Sequence, residues 1–282
     1  MENKCFYITG SSGFIGSNLI KKMKEKDFCY YRITRTKNNT NNSITTEDYS
    51  DLSEPRKNST LIHLAELNDV TKAEKIGESF IQTNIKKIIS LVKKKWINII
   101  YVSSALIYDF DNINLTSNDC LGIIKADNIY KRSKLECEKI ILENGGTVLR
   151  MTNIYGPGMS QNNVISDILM QLSSNEIKLK NLYANRDFLW VDDAVDAIIS
   201  SSKKKYNDIF NVASNKSINI YNLAKQITKL YGDSRKQILG IENSRKNNEI
   251  GININKTKKI LNWIPKTNLE TGIKCLLTNY DK

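Results

Sequence analysis

Thr9-Gly10-Ser11-Ser12-Gly13-Phe14-Ile15-Gly16 follows a short apolar run, Cys5-Phe6-Tyr7-Ile8, and opens a segment in which Leu19, Ile20 and Met23 recur with helical spacing. Strand, glycine turn and helix in that order are the context in which a G-x-x-G-x-x-G loop binds a dinucleotide. Gly10 lets the chain turn, Gly13 lets the backbone approach a pyrophosphate, and Gly16 lets helix and strand pack closely. The helix start offers unpaired N–H groups and the positive end of its dipole to phosphates. Gly10, Ser12, Gly13, Phe14, Ile15 and Gly16 are therefore the expected cofactor contacts of this loop; a plain glycine turn is the competing reading.

Outward from the loop, the first half alternates strand and helix patterns, with short apolar runs at Tyr30–Thr34, Leu61–Leu64, Ile97–Val102 and Thr147–Met151. Such alternation implies an α/β fold: a Rossmann-type, doubly wound parallel sheet joined by right-handed crossovers, with ligands outside the carboxyl ends of the strands. After Met151 the pattern loosens. Gly156-Pro157-Gly158 breaks the chain, and helix patterns follow at Val164–Leu172, Asp192–Ser200, Tyr221–Leu230, Lys256–Trp263 and Leu269–Leu277, with a short strand at Ile209–Val212. The expected division is a dinucleotide-binding domain, 1–155 with about 188–215, and a smaller substrate-binding lobe, about 156–187 and 216–282.

The chain has 282 residues, 40% of them hydrophobic and 26% charged, which is ordinary for a soluble globular protein. No apolar run reaches the roughly 20 residues needed to span a bilayer, and MENKCFYITG enters a strand at once, leaving no room for a signal peptide. Five cysteines without a C-x-x-C pair fit reduced thiols in a cytoplasm. The net charge of +12 raises nucleic acid as a partner, but the basic residues are dispersed, so a solvated basic surface is the better reading. A single histidine, His63, argues against His-rich metal centres and Ser-His-Asp triads, so no metal site is expected.

Y-x-x-x-K spacing places a phenol and an ammonium on one helix face, where the ammonium stabilises phenolate. Two matches occur, Tyr130/Lys134 and Tyr221/Lys225. Only the first lies 26 residues after a strand-end serine, Ser104, in Tyr101-Val102-Ser103-Ser104. Tyr221 reads as a packing residue.

With these residues in view, the chain resembles the extended short-chain dehydrogenases/reductases of the nucleotide-sugar epimerase/dehydratase group over nearly its whole length. The matching segments, in the family's order, are TGSSGFIGSNL, LIHLAE, YVSSALIY, YKRSKLECE, LRMTNIYGPG, RDFLWVDDAVDAI, FNVAS and KKILNWIPKTNLETGIK. The resemblance implies Tyr130 as proton donor/acceptor, Lys134 as the ribose-binding lysine and Ser104 as hydroxyl partner of the reacting oxygen. It implies that Asn153, Arg186 and Arg245 hold the substrate's diphosphate, as suits guanidinium chemistry. Leu64 and Ala65 match the strand-end segment beside the cofactor, and Asp48 matches an adenine-side aspartate. His63 supports the fold rather than reacting.

NAD-binding relatives usually carry an acidic residue at the end of the second strand. Thr34 stands there, followed by Arg35, which can pair with a 2′-phosphate, so NADP(H) is favoured over NAD(H). Relatives that dehydrate sugars have an acidic pair after the serine, and those that epimerise beside the keto group carry a cysteine. Here Ala105 and Leu106 follow Ser104. Simple hydride transfer at one carbon remains: reduction of a 4-keto (deoxy)sugar nucleotide with Tyr130 as proton donor, or, as the alternative, an NAD-dependent 4-epimerase. A non-catalytic, cofactor-sensing protein on the same fold is a third reading, disfavoured because Tyr130 and Lys134 are both present. The family further implies a homodimer and a role in surface-polysaccharide precursor synthesis.

Overall fold

The computed structural model describes residues 4–36, 42–110, 124–241 and 251–278. Its first strand, β1 (Cys5–Thr9), is buried along its whole length, as a parallel strand covered on both faces must be. The glycine loop leads to α1 (Phe14–Glu25), and then come β2 (Cys29–Thr34), β3 (Ser43–Thr45), β4 (Ser59–His63), α2 (Val70–Ile76), α3 (Glu78–Val92), β5 (Asn98–Ser104), α4 (Ile129–Glu143) and β6 (Thr147–Met151). The remainder runs β7 (Asn153–Tyr155), α5 (Val164–Met170), β8 (Glu176–Leu179), β9 (Asn185–Trp190), α6 (Val191–Ser201), β10 (Ile209–Val212), β11 (Ser217–Asn219), α7 (Ile220–Tyr231), β12 (Gln237–Gly240), α8 (Asn255–Leu261) and α9 (Leu269–Thr278).

Seven strands form one sheet in the order β10-β6-β5-β4-β1-β2-β3, every pair parallel. Strand order reverses between β1 and β4, which opens a crevice at their carboxyl ends. The expected doubly wound fold is thus present. Side chains alternate along β1: Phe6 and Ile8 pack with Leu19 and Met23 of α1 and Val195 and Ile198 of α6. Tyr7 faces the other way, into a core with Ile88 and Leu91 of α3 and Cys137 and Ile141 of α4.

Two glycines fix the loop's path. Gly10 has φ +67°, and a Cβ there would lie 2.8 Å from the Leu64 carbonyl carbon. A Cβ on Gly16 would lie 2.1 Å from the Gly10 oxygen, so α1 can dock on β1 only without a side chain at that position.

A second core, built from α5, β8, β9, α7 and α9, gathers Ile168, Leu172, Ile177, Leu179, Leu223, Ile227 and Ile273. Its edges are a three-stranded sheet, β11-β9-β7, and the parallel pair β12-β8. These elements pack around a core of their own beside the large sheet, and Tyr155, Phe188 and Trp190 belong to it. Ile252, Ile254, Leu261 and Trp263 belong to the core of the large sheet, so α8 returns to the first lobe, that of the large sheet. The reason is packing: α8 lies against β10 and α6, with the Trp263 indole donating to the Asp193 carbonyl at 3.0 Å.

The expectation of reduced thiols also needs correction. Cys5 and Cys29 occupy directly paired register positions at the starts of β1 and β2, 4.7 Å apart at Cα, and are joined as a disulfide; neighbouring parallel strands bring the two within bridging reach. Cys137 and Cys275 are thiols, and Cys120 lies outside the described residues. Among those residues, no helix is long and apolar enough to cross a membrane.

Candidate active site

Asn128 caps α4, its side chain accepting from the Lys131 N–H at 2.9 Å. The cap starts the helix so that Tyr130 and Lys134, one turn apart, both face inward, each 5% exposed. The Tyr130 hydroxyl donates to Asn68 Oδ1 at 2.9 Å. The Lys134 ammonium is ion-paired with Glu66 and lies 3.5 Å from the Val102 carbonyl. Burial pulls Lys134 down, but the Glu66 carboxylate outweighs it and holds the ammonium above its usual range. Burial likewise pushes Glu66 up, and Lys134 more than reverses this. Ser104 ends β5 and begins a short 3-10 turn, Ala105–Ile107, its Oγ accepting from the Leu106 N–H at 3.2 Å. Its own proton is therefore the part it offers to a ligand oxygen.

Three cavities meet here. A cleft of about 250 Å³ runs from Phe14 and Ile15 past Leu64 and Glu66 to Ser104, Tyr130 and Lys134. A cavity of about 570 Å³ shares Asn68, Ser104, Tyr130, Met151 and Thr152 with that cleft and extends to Asn153 and Arg186. A third, about 740 Å³, lies in the second lobe and shares Asn153, Asn162 and Arg186 with the second. The order is a narrow cleft from the helix start, a polar chamber at the Tyr-Lys pair, and an outer chamber reached past an arginine and two amides.

Of the residues read from the sequence, Gly10, Ser12, Gly13, Phe14, Ile15, Gly16, Leu64, Ala65, Ser104, Tyr130 and Lys134 surround the carboxyl ends of β1, β4 and β5. Gly13 is the N-cap residue of α1 and brings no side-chain acceptor, so the first N–H groups of the helix are open to phosphate. That cradle fits a dinucleotide. Asn153 begins β7, its amide donating to the Asp187 carbonyl at 3.0 Å. Arg186 on β9 has no carboxylate partner among the described residues; its guanidinium donates to the Asn185 carbonyl at 2.7 Å, and burial lowers its pKa. Arg245 lies outside the described residues.

Thr34 ends β2, its hydroxyl donating to the Thr36 carbonyl at 3.0 Å, and Arg35 beside it is exposed. Asp48 is engaged locally: it caps a short 3-10 turn through the Ser50 N–H at 3.0 Å and pairs with Lys86 at 2.8 Å. The Lys86 bond, aided by Ser50, holds its carboxyl at about 2.

Three residues escaped the sequence reading. Arg32 on β2 donates to the Ser11 hydroxyl at 3.2 Å, bringing a cation beside the glycine loop. Glu66 and Asn68, in the connection after β4, bond to the Lys134 and Tyr130 side chains. A charge inside the apolar run Leu61–Leu67 is the signal that marked Glu66.

His63 ends β4, fully buried, with Nδ1 2.7 Å from the Thr9 hydroxyl and Tyr101 stacked on its ring. Burial pushes its pKa down to about 4, against the pull of Glu66. A histidine depressed in the fold binds its proton more readily once unfolded. Its contribution to stability is therefore complete above about 6.5 and is lost as pH falls from there toward 4, on the order of 3 kcal/mol in all. Because the chain has one histidine, its imidazole NMR signals give a direct check. They are expected to stay in the neutral position at pH 5.5, and a midpoint near 6.5 would contradict the buried assignment.

Comparison with known proteins places these features in a family. The family model described as "NAD dependent epimerase/dehydratase family" matches residues 6–213. A dTDP-L-rhamnose 4-epimerase of Burkholderia thailandensis is 29% identical over 168 residues, 55% of this chain and 46% of that protein. A dTDP-4-dehydro-6-deoxyglucose reductase of Escherichia coli is 23% identical over 96% of this chain and 95% of its own length. Among solved structures, RMD from Pseudomonas aeruginosa complexed with NADPH superposes with a TM-score of 0.85 at 19% identity, covering 99% of both chains. The glycine loop, the parallel sheet and the strand-end serine all fall within the matched residues, and the chain belongs to the NAD dependent epimerase/dehydratase family.

Proposed function

We propose that the chain is an NADP(H)-dependent reductase of a 4-keto (deoxy)sugar carried on a nucleoside diphosphate. One observation carries this reading: of the residues lining both the cofactor cleft and the chamber beside it, Tyr130 is the one with a phenolic O–H to give. The carboxylates around that chamber are otherwise engaged. Asp109 and Asp127 face Lys125, Asp127 also pairs with Lys131, and Asp187 accepts the Ser214 and Lys216 N–H groups. No acid–base pair of the kind a dehydration needs stands at the junction among the described residues, and Ala105 and Leu106 contribute none.

The residues divide the work as follows. The glycine loop and the open start of α1 hold the dinucleotide's diphosphate, and Lys134 its nicotinamide-side ribose. Bound there, the dinucleotide supplies a hydride. Ser104 donates its free proton to the carbonyl oxygen, where negative charge develops, and Tyr130 delivers the proton that completes the alcohol. Asn153 and Arg186 line both the inner and the outer chamber, the place for a diphosphate whose sugar lies inward and whose nucleoside lies outward. The names of the reductase relative and of the NADPH complex support the same reading.

The test is to denature the purified protein and identify the released dinucleotide by mass spectrometry, then offer NADPH with 4-keto-6-deoxy sugars on UDP, dTDP, CDP and GDP. An empty site or exchangeable NADP(H), with NADPH consumed in proportion to one keto sugar, is the expected result. Near-stoichiometric NAD(H), with C4 epimers interconverting and no net cofactor consumed, would establish the epimerase instead. On cofactor choice, Arg35→Ala is expected to weaken NADPH binding by about 10–100-fold, the loss of one charge-assisted contact, and NADH far less. Equal losses in calorimetry would count against a 2′-phosphate site at Arg35.

A further inference from the structure

Glu66 lies between β4 and α2 and lines the cofactor cleft with Phe14, Leu64 and Lys134. Its side chain is 3% exposed and that of its partner Lys134 6%. The Tyr101 hydroxyl donates to Glu66 Oε1 at 2.8 Å, while Lys134 donates to Oε2. Two charges withdrawn from water this far gain little net stability from each other. Retained in the wall of a ligand cleft, such a pair points to the ligand.

The bonding capacity says which part of the ligand. A carboxylate offers about four acceptor sites and an ammonium three donors. Glu66 accepts from Tyr101, from Lys134 and, weakly, from the Cys137 thiol, so about one of its acceptor sites stays open, and Lys134 spends its donors on Glu66 and on a long contact to the Val102 carbonyl. Both groups keep capacity for a third party that donates and accepts at once. A vicinal diol does so: its oxygens take N–H bonds from the ammonium and one of its O–H groups donates to the carboxylate. Phosphates bring no donors at neutral pH. Along a cleft from the start of α1 to Tyr130, the portion of a dinucleotide beyond the diphosphate is the ribose that carries nicotinamide.

We propose that Glu66 is a cofactor-binding residue, its carboxylate accepting from a hydroxyl of the nicotinamide-side ribose while Lys134 donates to the diol oxygens. This rests on the nicotinamide dinucleotide of the family and not on the direction of the reaction or on the 2′-phosphate.

Calorimetry on the full chain tests it, using whichever of NADPH and NADH the wild type binds more tightly. The matching adenosine half, adenosine 2′,5′-bisphosphate or ADP, serves as a probe without that ribose. Glu66→Gln keeps the shape and one acceptor; it is expected to weaken the whole dinucleotide by about tenfold or more and leave the adenosine half unchanged. Tyr101→Phe, which removes only a supporting donor, is expected to lose less. Equal losses for whole and half, or a lowered Tm with binding unchanged, would make Glu66 a structural strut and overturn the proposal. Tighter dinucleotide binding by Glu66→Gln would overturn it too, because Glu66 would then compete with the cofactor for Lys134. The expected pattern with NADH in place of NADPH would uphold Glu66 and sink only the NADP(H) reading.

Discussion

Tyr130→Phe is expected to lower turnover of the responsive keto sugar by about 10²–10⁴-fold, the usual worth of a positioned proton donor, while NADPH still binds. The substitution removes one oxygen from a side chain whose ring is held by packing against Phe80 and by the first turn of α4. The ring's place in the helix is untouched, and Asn68 loses a partner at an exposed position where water can replace it. The loss should therefore fall on the chemical step and leave the fold intact. Single-turnover measurement of NADPH oxidation separates the two, because a binding defect is recovered at saturating ligand and a missing proton donor is not. Unchanged turnover would remove Tyr130 from the mechanism and with it the reductase reading.

The second large effect is on stability. Arg150 on β6 is 2% exposed and makes three hydrogen bonds to Glu138 of α4, at 2.7, 3.1 and 3.3 Å. Ser103 also donates to Glu138, and the Tyr108 hydroxyl accepts from Arg150 at 3.1 Å while donating to Asn211 at 2.6 Å. Glu138→Ala strands a guanidinium in this interior and is expected to cost about 3–5 kcal/mol, a fall in Tm on the order of 10 °C. Replacing both partners, Glu138→Leu with Arg150→Met, removes the unpaired charge and should recover part of the loss. Thermal unfolding by circular dichroism reads both. A loss below about 1 kcal/mol in the single variant would mean that water or another carboxylate reaches Arg150.

Local patterns made the first part of this molecule legible. β1, the glycine loop and α1 follow from adjacent residues alone, and Tyr130 and Lys134 share a face because four residues make about one helical turn. The helices of the second lobe were read within two residues at either end, since each carries an apolar stripe. Its strands were not: β7 and β11 have three residues each and β8 and β12 four, too few to display a period of two, and β9, six residues long, runs directly into α6 with no turn to mark its end. Contacts that need tertiary register were hidden as well. Nothing in a separation of 24 residues joins Cys5 to Cys29 until β1 and β2 are aligned. Arg150 did carry a signal, since a lone charge inside Val148-Leu149-Arg150-Met151 must find a partner. That the partner is Glu138 follows only once β6 lies beside α4.

The return of α8 to the first lobe bears on modularity. Stopping the chain at residue 213, where the family match ends, would bare the surface that Ile252, Ile254, Leu261 and Trp263 cover. It would also leave the Asp193 carboxylate of α6 without the Lys266 and Thr267 N–H groups it accepts. The two lobes are thus interleaved in sequence and sewn together at the tail. Exchanging the outer chamber for a relative's, to change which nucleotide is taken, would have to leave residues 251–267 behind with the cofactor half and make its joins on either side of them.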